Sequence, residues 1–219
     1  MDGLTDMLDD APKLGRKVPQ VLQGARKVFL DHGFEGASVD DIARESGVSK
    51  ATLYSYFPDK EKLFAAVIQQ SCEAQVADLK VTLSAKQCPI DGLHAAARSV
   101  VRLMLSKNMI PLFRLCVAEA TRFPDLGFIF YTTGPKVWRS EVAEFLRKAT
   151  ARGALVIAED DFDLAAEHLT ALCKTDVFYQ NMFCDSFKPS KEDIDAVAQQ
   201  AVETFLARFG SDHVKAAQG

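Results

Sequence analysis

Residues 39–64 constrain the fold of this chain more than any other part of the sequence. They read VDDIARESGVSKATLYSYFPDKEKLF. A short helical pattern ends at Gly47, and a second one begins after the capping residue Ser49 and ends before Pro58. Two short helices joined by a tight turn that contains Gly form a helix-turn-helix, whose second helix lies in the major groove of DNA. The segment therefore predicts a DNA-reading element.

The preceding residues complete a three-helix N-terminal domain. Apolar residues recur at helical spacing between Val18 and Phe29, and Gly33 provides a C-terminal stop signal. Ser38 and Asp41 form a variant of the capping box at the start of the next helix, in which Asp replaces Glu. We assign residues 16–62 to a helix-turn-helix DNA-binding domain and residues 63–219 to a larger helical domain. Residues 1–15 are acidic and aperiodic, and we expect them to form a mobile tail.

The rest of the chain predicts helices throughout, without an alternating strand pattern. Gly and Pro residues separate these helices, as breakers of helical structure do. The predicted helices after the helix-turn-helix span residues 60–83, 90–106, 109–122, 135–152, 162–184 and 192–209. The fold class that follows is all-α.

Neither a membrane span nor an export signal is expected. No apolar run approaches the roughly 18 residues that a transmembrane helix requires. The N-terminus MDGLTDMLDD lacks the apolar region of a secretory signal. We therefore expect a cytoplasmic protein that does not associate with membranes.

The charge distribution limits how this chain can bind DNA. The net charge is -4, and residues 16–62 carry eight Lys and Arg against seven Asp and Glu. A binder that relies on many nonspecific phosphate contacts would need a larger basic excess. A sequence-specific module that places a few contacts well remains compatible with this balance.

The cysteines and histidines do not predict a metal site or a disulfide framework. The five cysteines are odd in number and form no CxxC pair, and the four histidines are far apart. We expect no metal and no cofactor. Two alternatives stay open: a regulator that senses oxidants through Cys116 or Cys173, and an enzyme or carrier that uses a helical pocket. The enzyme is the less favoured of the two, because no catalytic sequence pattern is present.

The last two predicted helices are apolar over an unusually wide arc. A helix of this kind usually lies between two surfaces, and closed two-fold dimers are the commonest assembly. Burial within the chain's own core is the alternative explanation. The residues predicted to form a dimer interface are Leu169, Leu172, Tyr179, Phe183, Val197, Ala201, Val202 and Phe205.

The N-terminal residues resemble a known family. The match comprises Phe29, Gly33-Phe34, Ser38-Val39-Asp40-Asp41-Ile42-Ala43, Gly47-Val48-Ser49, Thr52-Leu53-Tyr54-Ser55-Tyr56-Phe57, Lys60 and Leu63-Phe64. In order, spacing and residue type this pattern resembles the N-terminal domain of TetR-family transcriptional regulators. Residues 119–126 are similar to a stretch in the C-terminal domains of AefR-type and AcrR-like members. The resemblance implies an all-helical homodimer with a ligand-binding C-terminal domain, whose last two helices form a four-helix interface.

By position, the resemblance implies which residues contact DNA. Lys50 and Ala51 are expected at base edges, because they begin the helix that enters the groove. Hydroxyl groups and helix N-termini are expected at phosphates. For Tyr54 we favour DNA contact, whereas for Tyr56 simple packing is an equal alternative; Leu53 and Phe57 should be core. The predicted DNA-binding residues are Ser38, Ser49, Lys50, Ala51, Thr52, Tyr54, Ser55, Tyr56 and Lys60.

An effector pocket is predicted from the aromatic residues of the C-terminal part. Aromatic side chains with a few polar groups are typical of small-molecule pockets. An ordinary aromatic core explains each of them equally well. The candidates are Phe113, Cys116, Phe123, Phe130, Trp138, His168, Phe178 and Asn181.

These features together favour a homodimeric repressor of transcription. It would bind a palindromic operator in double-stranded DNA and leave it when a largely apolar small molecule binds the domain of residues 63–219, which would also carry the dimer interface. The sequence identifies neither that effector nor the operator.

Overall fold

The computed structural model describes residues 16–86, 88–184 and 186–216, and within these ranges it contains helices but no β-strand. The predicted all-α fold is thus confirmed. Residues 1–15, for which we predicted a tail, lie outside the described ranges. The helices are α1 (Val18–Gly36), α2 (Val39–Glu45), α3 (Lys50–Tyr56), α4 (Lys60–Ser84), α5 (Pro89–Met104), α6 (Met109–Glu119), α7 (Pro124–Thr133), α8 (Pro135–Ala151), α9 (Phe162–Leu172), α10 (Asp176–Phe183), α11 (Lys191–Phe209) and α12 (Asp212–Ala216), with a 3-10 turn at Glu159–Asp161.

The capping residues and glycines in the sequence correctly predicted where the N-terminal helices begin and end. Gly33 has φ of 74° and interrupts the regular geometry of α1, as the predicted stop required. The Ser38 side chain accepts a hydrogen bond from the Asp41 amide at 3.0 Å and caps α2. The Ser49 side chain accepts one from the Thr52 amide at 3.1 Å and caps α3. Gly47, with φ of 61°, makes the turn between the two helices.

Two predicted helices differ from those observed. The helix predicted for residues 109–122 ends at Glu119, and α7, which we did not predict, follows it from Pro124. The helix predicted for residues 162–184 is two helices, because Thr175 has an extended backbone. No Gly or Pro lies near Thr175, so the sequence carries no breaker signal at this position.

The chain divides into two compact units. The first comprises the residues up to Glu73 together with Pro111–Gly134. Its core contains Phe29, Phe34 and Phe64, whose ring centroids lie 4.8 to 5.8 Å apart. Helix α2 packs against both α1 and α3 in this unit. The packing boundary differs from the functional boundary that we predicted at residues 62–63, which stays a prediction.

A close approach between Gly24 and Ser46 fixes α1 against the end of α2. Ser46 is buried, and its hydroxyl donates to the Val21 carbonyl at 3.3 Å. The Gln20 side-chain amide donates to the Ser46 carbonyl at 2.7 Å. A Cβ atom at Gly24 would lie 2.2 Å from Ser46 Oγ and 2.9 Å from Ser46 N. Only Gly therefore fits at this position without displacing the backbone.

Gly24→Ala is expected to lower the free energy of unfolding by about 1–3 kcal/mol, as overpacking does. The loss should appear even though Ala favours helix over Gly. Urea denaturation followed by circular dichroism measures it. Gly36→Ala is the matched control in the same helix, because its Cβ would meet only His32 Cβ at 3.6 Å. A Gly24→Ala protein as stable as the parent would contradict the prediction.

The second unit comprises Ala74–Ile110 and Pro135–Gly219. In its interior, α11 packs against α5 and α9, and α9 packs against α8. Leu93, Val142, Leu169, Val202 and Phe205 are almost completely buried. In the part of the chain that the structure describes, no helix combines the length and the hydropathy required to cross a membrane.

Candidate DNA-binding site

Helix α3 presents a buried face and an exposed face. Leu53 and Phe57 are 1% and 2% exposed, which confirms that both belong to the core. They lie one turn apart, so they anchor the same side of the helix. Tyr54, by contrast, is 50% exposed. The helix is thus anchored by two apolar side chains and presents polar groups to solvent.

All nine residues that we predicted to contact DNA are at least partly accessible. This matters because a side chain buried in the free protein could not reach a base or a phosphate. Ser38, Ser49, Lys50, Ala51, Tyr54 and Ser55 are exposed, and Thr52, Tyr56 and Lys60 are half-buried.

Lys50 is held by a carboxylate that the sequence interpretation missed. Its ammonium Nζ lies 2.5 Å from Asp40 Oδ1, and both side chains are more than half exposed. An exposed ion pair of this kind contributes about 0–1 kcal/mol. The pair therefore orients Lys50 and can be exchanged for a contact with DNA. No periodic signal links Asp40 in α2 to Lys50 in α3, so sequence spacing does not predict the pair.

Ser38 caps α2 and also contacts the carboxylate of Asp41. Its hydroxyl donates to Asp41 Oδ2 at 2.5 Å, and Arg44 also binds the Asp41 carboxylate. Two hydrogen bonds lower the pKa of Asp41 below its usual value. The one from Ser38 has the larger effect and the one from Arg44 the smaller. The N-terminus of α2 thus holds a carboxylate beside the hydroxyl for which we predicted a phosphate contact.

Lys60 is largely engaged with the protein. Its ammonium donates to the carbonyl groups of Glu35 and Ala37, each at 3.2 Å. It also lies 4.7 Å from the centre of the Phe34 ring. Since a lysine ammonium has three donors, one remains for a phosphate. The Ser55 hydroxyl is likewise engaged, donating to the Thr52 carbonyl at 2.7 Å.

The effector candidates fall into both units of the chain. Phe113, Cys116, Phe123 and Phe130 belong to the first unit, and Trp138, His168, Phe178 and Asn181 belong to the second. Within the first unit, the rings of Phe113 and Phe130 are 5.9 Å apart, whereas the Phe123 ring packs on Phe34 at 4.7 Å. Within the second, Trp138 is buried and His168 is exposed. The pocket built from all eight residues stays a prediction.

Burial of Cys116 and Cys173, the two thiols considered as oxidant sensors, does not support that role. Burial raises the pKa of Cys116 to about 12 and that of Cys173 to about 12. Burial also raises the pKa of Cys72 to about 11. Reactive cysteines need accessible thiolates, which these three do not provide at neutral pH. Among the described residues, no group of three or more His, Cys, Asp and Glu side chains could hold a metal ion.

The predicted interface residues separate into two groups. Leu169, Val197, Ala201, Val202 and Phe205 lie in the core of the second unit, so its own packing accounts for their burial. Leu172 is half-buried, whereas Tyr179 and Phe183 are 51% and 81% exposed. Helix α10, which carries Tyr179 and Phe183, buries none of its residues. The surface part of the predicted interface is therefore concentrated on α10.

Two family models match the chain. The one described as "Bacterial regulatory proteins, tetR family" matches residues 21–67. The one described as "AefR-like transcriptional repressor, C-terminal domain" matches residues 91–211. The transcriptional repressor AcnR of Corynebacterium glutamicum is 36% identical over 109 residues, which make up 48% of this chain and 57% of AcnR. The chain thus spans less than two thirds of the length of this curated relative.

Solved structures extend the similarity over nearly the whole chain. A TetR-family regulator from Mesorhizobium loti is 31% identical, with a TM-score of 0.82 over 89% of this chain and 97% of the other. The flavonoid-responsive regulator FrrA is 32% identical, with a TM-score of 0.75 over 91% of this chain and 100% of the other. Membership of a family of regulators sets aside the enzyme alternative. With its helix-turn-helix and its AefR-like C-terminal domain, the chain belongs to the TetR family of DNA-binding transcriptional regulators.

Proposed function

We propose that this protein is a homodimeric repressor that binds a palindromic operator and leaves it when a small, largely apolar molecule binds. The observation that carries the proposal is the geometry of α3. Leu53 and Phe57 anchor it, while Lys50, Ala51 and Tyr54 remain exposed. The N-terminal residues of a recognition helix are the ones that meet base edges in the major groove. Thr52, the other hydroxyl residues and Lys60 then contact phosphates.

Dimerisation follows from the same mode of binding. Two α3 helices must lie about 34 Å apart to enter successive major grooves, which requires a fixed pair of protomers. The exposed apolar side chains of Tyr179 and Phe183 on α10 support an interface there. Leu172 lies at the end of α9, directly before α10, and is half-buried. The buried residues Leu169, Val197, Ala201, Val202 and Phe205 support this surface from the core rather than contacting the partner.

Release by a ligand is the regulatory part of the proposal. One solved neighbour is named as responsive to flavonoids, whose aromatic rings present flat apolar faces. The name of the matching C-terminal model and that of AcnR both favour repression. A ligand that shifts operator affinity by five- to 150-fold needs a coupling free energy of about 1–3 kcal/mol. Differential binding of this size is ordinary for an allosteric protein.

The test is recovery of the operator from genomic DNA. The full-length protein is mixed with fragmented DNA of its own genome, and the retained fragments are sequenced. A fluorescein-labelled duplex carrying the recovered site is then titrated with protein, and quercetin is added to the complex as the first effector probe. Failure to bind any palindromic site at moderate salt would exclude the function. Stable binding that no flavonoid or other apolar probe reverses would exclude the release mechanism.

Lys50→Ala is expected to weaken operator binding about tenfold and to relax the preference at one base pair. A lysine that donates to guanine O6 and N7 contributes about 1–3 kcal/mol to discrimination. Anisotropy titrations of the recovered operator and of single-base variants measure both effects. Lys80→Ala is the matched control, because Lys80 is a similarly exposed lysine paired with Glu141 at 2.9 Å in the second unit. Equal weakening on all sequences would instead indicate a phosphate contact.

A further inference from the structure

The segment between α6 and α7 packs on the C-terminal end of α1, directly before the helix-turn-helix. We call residues 119–124 the α6–α7 corner. The amides of Arg122 and Phe123 both donate to the Glu119 carbonyl, at 3.0 and 2.8 Å, and close the corner. Pro124 then begins α7. The corner belongs to the first unit, although it lies more than 50 residues after the helix-turn-helix.

Two side chains of the corner contact the end of α1. The Arg122 guanidinium donates to the Glu35 carboxylate, and this hydrogen bond raises the pKa of Arg122 above its usual value. The Phe123 ring meets the Phe34 ring edge-on, with the centroids 4.7 Å apart. Phe34 is 2% exposed and also packs on Phe64 at 5.2 Å. The corner thus supplies both a charged and an apolar contact to adjacent residues of α1.

The residues that the corner contacts lie next to Lys60 and Ser38, the two residues proposed to contact phosphates. The carbonyl groups of Glu35 and Ala37 accept hydrogen bonds from the Lys60 ammonium, which also lies over the Phe34 ring. Ser38, the cap of α2, follows Ala37 in the chain. Lys60 and Ser38 therefore take their positions from the backbone that Arg122 and Phe123 hold.

A break in α1 directly precedes this backbone, although the Ala37 amide still donates a hydrogen bond to the Gly33 carbonyl at 3.2 Å. Gly33 has φ of 74° and ψ of 172°, which interrupts α1 two residues before Glu35. Where helical geometry is broken, side-chain contacts have a larger share in fixing the path of the chain. Arg122 and Glu35 are both more than half exposed, so their ion pair adds little to overall stability. Its effect is expected mainly in the geometry of the segment.

We propose that Arg122 and Phe123 are positioning residues for operator binding. They hold the segment from Phe34 to Ala37 so that Ser38 and Lys60 meet the DNA backbone together. Neither side chain touches DNA in this arrangement. The inference rests on the proposed function, because it presupposes that Ser38 and Lys60 contact phosphates.

Glu35→Gln provides the decisive experiment, because positioning and simple electrostatics predict opposite signs. Removal of a negative charge near DNA, with release of Arg122, should strengthen binding if Arg122 contacts a phosphate. Positioning predicts that Glu35→Gln and Arg122→Ala each weaken operator binding about two- to fivefold, the range of an exposed ion pair. The double variant should be no weaker than either single one, because both remove the same interaction.

A charge swap and a ring variant complete the test. Glu35→Arg combined with Arg122→Glu restores the pair in reverse and should recover affinity to within about twofold of the parent. Phe123→Ala should weaken binding by about tenfold, since an aromatic pair and its buried area are lost. Phe123→Leu keeps an apolar side chain and replaces Phe123→Ala if that protein does not fold. Arg147→Ala, an exposed arginine paired with Glu144 and Glu159 in the second unit, is the control.

Affinity is measured by anisotropy on the recovered operator duplex, at a temperature where circular dichroism shows every variant folded. Weaker binding by Glu35→Gln, with recovery in the charge swap, supports positioning. Unchanged or tighter binding by Glu35→Gln overturns it while leaving the proposed function intact. A lower melting temperature with unchanged operator affinity also overturns it, because that pattern indicates a purely structural contact. If the parent protein binds no operator, both proposals fail.

Discussion

Phe183→Asp is expected to convert the protein from a dimer to a monomer and to weaken operator binding by at least about 100-fold. Phe183 is the most exposed large apolar side chain on the described surface, at 81%. A carboxylate at this position would have to be desolvated against the apolar face of a partner, which opposes association. A monomer would then contact one half-site only and lose the advantage of two linked contacts.

Sedimentation equilibrium measures the mass, and anisotropy on the operator duplex measures the affinity. Val156→Asp is the matched control, because Val156 is 66% exposed in the same unit but lies outside α10. That protein should remain dimeric and bind DNA as the parent does. A dimeric Phe183→Asp protein would show that the partner contact lies elsewhere, and a monomer with full operator affinity would contradict binding as a pair.

Phe64→Ala is expected to lower the free energy of unfolding of the first unit by about 3–5 kcal/mol. Phe64 is fully buried, and its ring lies 4.8 Å from Phe29 and 5.2 Å from Phe34. Truncation would leave a cavity among rings that cannot collapse onto it. Because the same cluster supports the segment before Ser38, operator binding should fall together with stability.

Two optical signals separate this effect from a general loss of structure. Trp138 is the only tryptophan of the chain and lies in the second unit, so its fluorescence follows that unit. Far-ultraviolet circular dichroism follows the helices of both units. In urea, Phe64→Ala should shift the dichroism transition more than the fluorescence transition. Phe128→Ala, at a half-exposed residue of the first unit, should change stability by about 0.5 kcal/mol or less. A Phe64→Ala protein as stable as this control would contradict the prediction.

The elements that the sequence predicted best are those with local signals. Ser38, Ser49, Gly33 and Gly47 each fix a helix end or a turn through contacts with residues a few positions away. Helix periodicity likewise placed Leu53 and Phe57 in the core. Such signals depend on backbone geometry within one or two turns, and they are therefore readable without knowledge of the tertiary structure.

The features that escaped prediction depend on distant partners. The wide apolar arc of α11 predicted an interface, which stays a prediction; the packing of Val202 and Phe205 inside their own unit is what the arc did not indicate. Periodicity measures how apolar a face is and not which surface covers it. The engagement of Lys60 with the Glu35 carbonyl, and of Arg122 with Glu35, joins residues 25 and 87 positions apart. No pattern along the chain encodes such contacts, so only the folded molecule discloses them.

The ion pair between Asp40 and Lys50 has a consequence for how the protein searches a genome. In the free protein the ammonium of Lys50 already has an anionic neighbour at 2.5 Å. If Lys50 contacts DNA as proposed, every DNA sequence must compete with that carboxylate, and binding to random sequence then loses part of its electrostatic gain. At the operator, the proposed base contacts of Lys50 would compensate for the exchange. A genome offers about 10⁶ to 10⁹ competing sites. A slightly lower affinity for all of them shortens the time that the protein spends bound at each nonspecific site. An acidic residue inside a DNA-reading domain can thereby shorten the time that the protein needs to find its operator.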